Sequence, residues 1–171
     1  MTIVWLNGAS RKGLEDKFPL QDIEIGCNYI RRDRKVNHVI AFDQPIVKAL
    51  SQNLEEGVKY YTRSEWGKPG QWITVKQWKT VDPMNSGMMA LLLATRLSKE
   101  DIYILGMDWG LSDISVYDYG KNKESIIKYT NGCKRQCKTL SETHKIIAVH
   151  NELPDVNIPV IDKQTFLSKL K

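Results

Sequence analysis

Ile3-Val4-Trp5-Leu6-Asn7-Gly8-Ala9-Ser10 is the stretch whose reading decides the fold. An apolar, partly β-branched run that stops at small and polar residues reads as a first strand delivered into a tight turn. Glycine there permits φ > 0 and close approach, so that backbone N–H groups can face a phosphate. One glycine is much less than a dinucleotide or P-loop fingerprint, so the rest of the chain must supply the meaning.

The same arrangement recurs. Ile23 to Cys27-Asn28, His38 to Asp43, and Ile102-Tyr103-Ile104-Leu105 before Gly106-Met107-Asp108-Trp109-Gly110 are apolar strands that end on small or polar residues. Between them, Arg11 to Lys17 reads as a short helix or turn, and Pro45 opens a helix running to about Leu54. Val58 to Thr62 and Trp72 to Val75 read as short strands flanking a loop at Glu65 to Gly70. Asn85 to Leu97 starts with cap-type residues and is apolar nearly all round, which predicts a helix buried on more than one side. Further on, Leu111 to Gly120 alternates like a short strand or ordered loop, and Lys121 to Gln136 is polar and carries no assigned structure. Leu140 to Val149 reads as a helix, Ile158 to Ile161 as an edge strand because of Pro159, and Gln164 to Leu170 as a helical tail.

Alternating strands and helices predict an α/β domain spanning residues 1–171, its mostly parallel sheet covered by helices on both faces. In such sheets ligands bind beyond the carboxyl ends of the strands, where the strand order reverses. Asn7-Gly8-Ala9-Ser10, Cys27-Asn28, Asp43 and Gly106 to Trp109 each follow a strand and should share that rim. Ser86-Gly87 at the start of the buried helix adds backbone donors and a positive helix end.

The totals bound the partners. With 171 residues, 42% of them hydrophobic, the chain can bury a real core. Its net charge of +5 suits an anionic partner, although the basic residues are scattered, as solvated residues are. Three cysteines in no framework spacing point to reduced thiols and a cytoplasmic protein. The longest apolar run, Gly87 to Ala94, is too short to cross a membrane, and no leader pattern is visible. Cys133, Cys137, His144 and His150 offer zinc-type ligands at spacings that match no usual finger, so no metal is expected. Trp66, Trp72 and Trp78 recur every six residues, which fits packing better than a nucleic-acid stacking platform, and Arg31 to Lys35 reads as a solvated turn.

Taken together, these motifs resemble the bacterial sialyltransferases of the Campylobacter type, glycosyltransferase family 42, in a shortened form. Asn7-Gly8-Ala9-Ser10 is similar to their Asn-Gly-Pro-Ser turn and Cys27-Asn28 to their second-strand Cys-Asn. Ser86-Gly87 resembles their Ser-Gly before a buried helix, and Ile102 to Trp109 their strand ending in Gly-Ile-Asp-Phe. The resemblance covers roughly the first 120 residues. It implies a Rossmann-like transferase that binds a nucleotide sugar, such as a CMP-linked one, without cofactor or metal. Asn7, Gly8 and Asn28 would hold phosphate and ribose, Ser86 and Gly87 the donor-sugar end, and Asp108 and Trp109 the base and ribose. The departures are Leu6 for a glycine, Ala9 for a proline, Gly110 for a tyrosine, and Lys138 where the family has its catalytic histidine.

Transfer needs a base to deprotonate the acceptor hydroxyl and donors to stabilise the departing phosphate. Candidates for the base are His144, Asp108 and Asp43; for the leaving group, Tyr117, Ser10 and the helix end at Ser86. The acceptor, glycan or nucleic acid, stays open, and exposed strand edges make a homo-oligomer an expectation. The alternative is a nucleotide-binding or sequestering module without transferase activity, which needs neither the family's histidine nor its tyrosine.

Overall fold

The computed structural model describes residues 1–63, 65–75, 85–109 and 123–170, with side chains from 130 onward in the last stretch. The strands are β1 (Thr2–Trp5), β2 (Ile23–Cys27), β3 (His38–Ile40), β4 (Lys59–Thr62), β5 (Ile73–Thr74), β6 (Ile102–Leu105), β7 (Ile146–Val149) and β8 (Val160–Ile161). They form one sheet in the order β5-β4-β3-β2-β1-β6-β7-β8, and every neighbouring pair is parallel. From β1 the chain works outward to β5 on one side, then returns to β6 and works outward to β8 on the other. The reversal lies between β1 and β6, where Thr2 pairs with Ile102 and Trp5 with Leu105.

Strand side chains alternate between two cores because helices cover both faces. Val4, Leu6, Ile25, Ile104 and Ala148 pack with α2 (Ser86–Leu97) and α3 (Lys123–Ser141) on one face. Ile3, Trp5, Leu105 and Val149 pack with α1 (Gln44–Leu50) and α4 (Lys163–Ser168) on the other. The expected α/β, Rossmann-like arrangement is therefore present. Helix α2 carries the first core: Met88, Met89, Ala90, Leu91, Leu93 and Ala94 are all buried, and Asn85 caps it by accepting from Met88 N at 2.9 Å.

Two stretches differ from their sequence reading. Lys121 to Gln136, left without structure, lies largely within α3, and the helix expected over Leu140 to Val149 is instead the end of α3 followed by strand β7. The reasons are physical. Cys133, Cys137 and Leu140 are spaced four and three apart and form the narrow stripe that an otherwise polar helix turns to the core. Ile146-Ile147-Ala148-Val149 is an uninterrupted, largely β-branched run like that of β6, and all four residues are buried, as an interior parallel strand requires. Burial pushes the Cys137 thiol well above its ordinary pKa, away from the thiolate that a metal would need. Among the described residues no group of three His, Cys, Asp or Glu could hold a metal ion. None of the described helices is long and apolar enough to cross a membrane.

Arg31 to Lys35 is not simply a solvated turn. Arg34 is buried and reaches Glu24 of β2, which has no solvent exposure. Glu24 accepts from Arg34 Nε at 2.9 Å, Arg34 Nη2 at 2.5 Å, Trp5 Nε1 at 2.7 Å and the Gln21 backbone N–H at 2.8 Å. Arg34 also donates to the carbonyls of Glu15, Phe18 and Pro19. This network fastens the 11–22 connection to the sheet.

His38 gives the fold a pH dependence. Its ring is buried beside the Tyr61 hydroxyl, 3.0 Å from Nδ1. Desolvation, reinforced by Lys59, lowers its pKa to about 4. Between the unfolded value near 6.5 and about 4, the unfolded chain binds the proton that the folded one refuses. Stability is thus fully present above pH 6.5 and falls on acidification, with a slope approaching about 1.4 kcal/mol per pH unit. Urea melts of the wild type and His38→Gln from pH 4 to 7 should differ in slope by this component.

Candidate functional site

The strand order reverses between β1 and β6, and the carboxyl ends of the strands at such a reversal are the place where sheets of this kind bind ligands. Leu6 N–H donates to the Leu105 carbonyl and Gly8 N–H to the Gly106 carbonyl, each at 2.7 Å, so the strand pairing continues into the turn. The Asp108 carboxylate then accepts from Ala9 N–H at 2.8 Å and from Ser10 N–H at 3.0 Å. The donors of residues 8 to 10, which the sequence offered to a phosphate, are engaged within the chain. The turn is a cradle for Asp108.

Gly8 is needed for closeness rather than for backbone freedom. Its φ is −72°, which any residue can adopt, but a Cβ would stand 2.4 Å from Asp108 Oδ1 and 2.5 Å from the Gly106 carbonyl oxygen. Gly106 needs both, with φ +77° and a Cβ position 2.5 Å from the Leu6 carbonyl oxygen. Gly8→Ala should therefore cost about 1–3 kcal/mol in denaturant titration, since it overpacks against a fixed carbonyl and an anchored carboxylate.

On the β2 and β3 side, Cys27 Sγ lies 3.4 Å from Asn7 Oδ1, joining the ends of β1 and β2. Asn28 follows at φ 55°, a left-handed conformation that Asn tolerates better than most residues. It is 7% exposed, its N–H donates to the Ile40 carbonyl at 3.0 Å, and its side-chain Oδ1 is buried without a partner among the described residues. A buried acceptor left unpaired costs about 1–3 kcal/mol, so this atom marks where a donor belongs. Ser86 Oγ, also buried, accepts from Phe42 N–H at 3.1 Å, which leaves its own O–H to donate. Gly87 is held against the rim by Leu6, whose Cδ2 would lie 3.1 Å from a Cβ there. Helix α2 thus begins over the ends of β1 and β3. Asp43 is exposed at the start of α1, and its carboxylate makes no capping bond.

The structure brings together Asn7, Gly8, Ser10, Asn28, Ser86, Gly87 and Asp108, with Asp43 farther along the same rim. Trp109 follows them but is 5% exposed at φ 56°, and its indole belongs to the core beneath α2. His144 is not with them. It precedes β7, whose first residue Ile146 pairs with Ile102, and so lies at the amino-end rim. The length of the sheet, four residues at about 3.3 Å each, separates it from the carboxyl rim. Tyr117 lies outside the described residues.

His150, read from sequence as structural, is the histidine that reaches the carboxyl rim. It follows β7 directly and is 7% exposed. Together with Ser10, Asp108, Asn151, Glu152 and Lys163 it lines a cleft of about 230 Å³. His150 Nδ1 lies 3.0 Å from the Glu152 backbone nitrogen and 3.2 Å from the Glu152 carbonyl oxygen, so this ring nitrogen is engaged by the chain. Assigning residues 146–149 to a strand would have placed His150 there from sequence.

No family model and no curated protein sequence matches the chain. A solved structure, that of the sialyltransferase CST-II in complex with trisaccharide acceptor and CMP, matches with a TM-score of 0.56. Identity is 16%, and the alignment covers 86% of this chain and 80% of that one. The chain therefore has the Rossmann-like fold of that Campylobacter-type sialyltransferase, which the motifs of the sequence resembled.

Proposed function

We propose that this protein binds a nucleotide sugar, such as a CMP-linked one, over the carboxyl ends of β1, β2 and β6 and transfers the sugar to an acceptor hydroxyl. The observation that carries the reading is Asn28, whose buried oxygen lacks a donor among the described residues at the carboxyl end of β2, next to the strand β1 at which the strand order reverses. A ribose hydroxyl or the amino group of a base supplies such a donor; a phosphate does not. Asn7 stands beside it, and Ser86 with the first N–H groups of α2 faces the charge of the diphosphate or monophosphate. The structural neighbour carries CMP and a trisaccharide acceptor, which supports the same ligand class here.

For the base, the reading favours Asp43. Asp108 is committed to the Ala9 and Ser10 N–H groups, and His144 is at the other rim. A carboxylate that deprotonates the acceptor hydroxyl has to be open on the donor side, as Asp43 is. Ser86 and the α2 terminus would stabilise the departing phosphate.

The engagement of Asp108 and the placement of His144 also favour the second reading, binding without transfer. A thermal-shift panel of CMP, UDP, GDP and their sugars, followed by an assay for hydrolysis of whichever donor stabilises the fold, separates the two. Transfer predicts stabilisation with turnover that Asp43→Asn abolishes while the thermal shift persists. Stabilisation without turnover leaves the binder, and no effect of any nucleotide overturns both.

A further inference from the structure

We propose that Arg63, at the carboxyl end of β4, is the seat of a phosphate group beyond the one that faces Ser86, and so a residue that decides which substrate is taken. This rests on the nucleotide-sugar reading and extends the site by one strand, on the side of Asp43.

The pairing of β3 with β4 runs past the strands themselves. Ile40 pairs with Tyr61 and the Ala41 N–H donates to the Tyr61 carbonyl at 3.0 Å, so Phe42 and Arg63 stand side by side. The guanidinium lies over the Phe42 ring, with Cζ 5.4 Å from its centroid. Phe42 belongs to the core under α2, and its N–H is held by Ser86 Oγ, which places Arg63 on the α2 face of the rim. One strand spacing, about 4.8 Å, carries the site from β3 to β4. A ligand whose first phosphate faces Ser86 therefore meets Arg63 with its next charged group.

Other arginines in this half of the chain are committed to carboxylates: Arg11 to Glu15 and Asp33, Arg31 to Glu55, and Arg34 to Glu24. Arg63 is carried on an aromatic ring instead, and its Nε is buried with no partner among the described residues. An unmet buried donor costs about 1–3 kcal/mol, which a bound acceptor removes. The guanidinium has donors only, arranged as a fork that fits the paired oxygens of an oxyanion. Helix α2, 12 residues long, turns its positive end to the same face. The full charge and that partial charge together favour a phosphate over a singly charged carboxylate. Two carriers present this chemistry: the second phosphate of a nucleoside diphosphate sugar, and a phosphate ester on the acceptor whose hydroxyl meets Asp43.

The test combines calorimetric titration of the full chain with CMP and CDP, UMP and UDP, and GMP and GDP, with NMR of the Arg63 Nε–H during addition of inorganic phosphate or acetate at saturating CMP. If the donor carries the phosphate, the diphosphate of one pair binds about tenfold tighter than its monophosphate or better, and Arg63→Gln brings that ratio close to one. Arg63→Lys keeps the charge without the fork and should keep part of the ratio. If the acceptor carries it, the ratio is near one in the wild type, and inorganic phosphate shifts the Arg63 Nε–H saturably while acetate does not. The wild-type NMR and Arg63→Lys keep the test valid should Arg63→Gln unfold. A ratio that survives Arg63→Gln, an equal response to acetate, or neither a ratio nor a phosphate shift overturns the proposal. Nucleotides that bind without any of the Arg63 effects leave the nucleotide reading standing alone. A phosphate shift at Arg63 in a chain that binds no nucleotide removes that reading and leaves the oxyanion seat.

Discussion

Asp108→Asn is expected to lower stability by about 3 kcal/mol and to weaken nucleotide binding at least tenfold. The carboxylate accepts from two backbone donors, at 2.8 and 3.0 Å. An amide of the same shape offers one oxygen to one of them and turns its NH₂ toward the other. The substitution therefore loses a charge-assisted bond, worth about 1.5–3 kcal/mol, and sets donor against donor in a site that is 7% exposed. In a chain of this size that corresponds to a melting temperature lower by roughly 6–12 °C. Binding falls because the turn positions Asn7, even though Asp108 itself points its charge at the backbone. Differential scanning calorimetry and a CMP titration of the variant check both parts. Unchanged stability with turnover alone reduced would mean that Asp108 is a catalytic base and not a clamp.

Arg34→Met should be the most damaging change away from the rim, costing about 3–5 kcal/mol. It strips Glu24, which is 0% exposed, of the one cation paired with it among the described residues and leaves a buried carboxylate with the neutral donors Trp5 Nε1 and Gln21 N–H. The carbonyls of Glu15, Phe18 and Pro19 lose a donor as well. Adding Glu24→Gln removes the uncompensated charge and should recover about 1–2 kcal/mol, since the carbonyls of Glu15 and Phe18 still lack the Arg34 donor while Pro19 keeps Gln21 Nε2 at 3.0 Å. Urea melts of the single and double variants give the coupling. Equal losses in both would show that packing of the 11–22 connection, and not the buried charge, sets the cost.

Much of the fold was legible because β1, β2, β3 and β6 share one pattern, an apolar run closed by a small or polar residue. Parallel strands buried on both faces cannot alternate, and helix α2, apolar nearly all round, had to lie against them. The third part of the chain hid itself. Helix α3 shows a stripe of Cys133, Cys137 and Leu140 on a polar background, and Leu140 at its end borrowed the apolar residues of β7 into one supposed helix. That boundary error carried His144 into the candidate site and kept His150 out. Arg34 was misread for another reason: charge in a turn signals solvent unless its partner is known, and the partner, Glu24, lies ten residues away. The ends of β1, β2, β3 and β6 were legible as one rim because parallel strands all finish on the same side of the sheet. What no sequence pattern announces is that Asp108 occupies the very N–H groups that such a turn offers to a ligand.

The most direct test of the central claim is a crystal of this protein soaked with CMP. The account predicts the nucleotide over the ends of β1, β2 and β6, with a ribose or base donor within hydrogen-bond distance of Asn28 Oδ1 and the phosphate facing Ser86 and the start of α2. A nucleotide bound at the amino-end rim beside His144, or a crevice that stays empty at saturating CMP with Asn28 Oδ1 still unpaired, would contradict it.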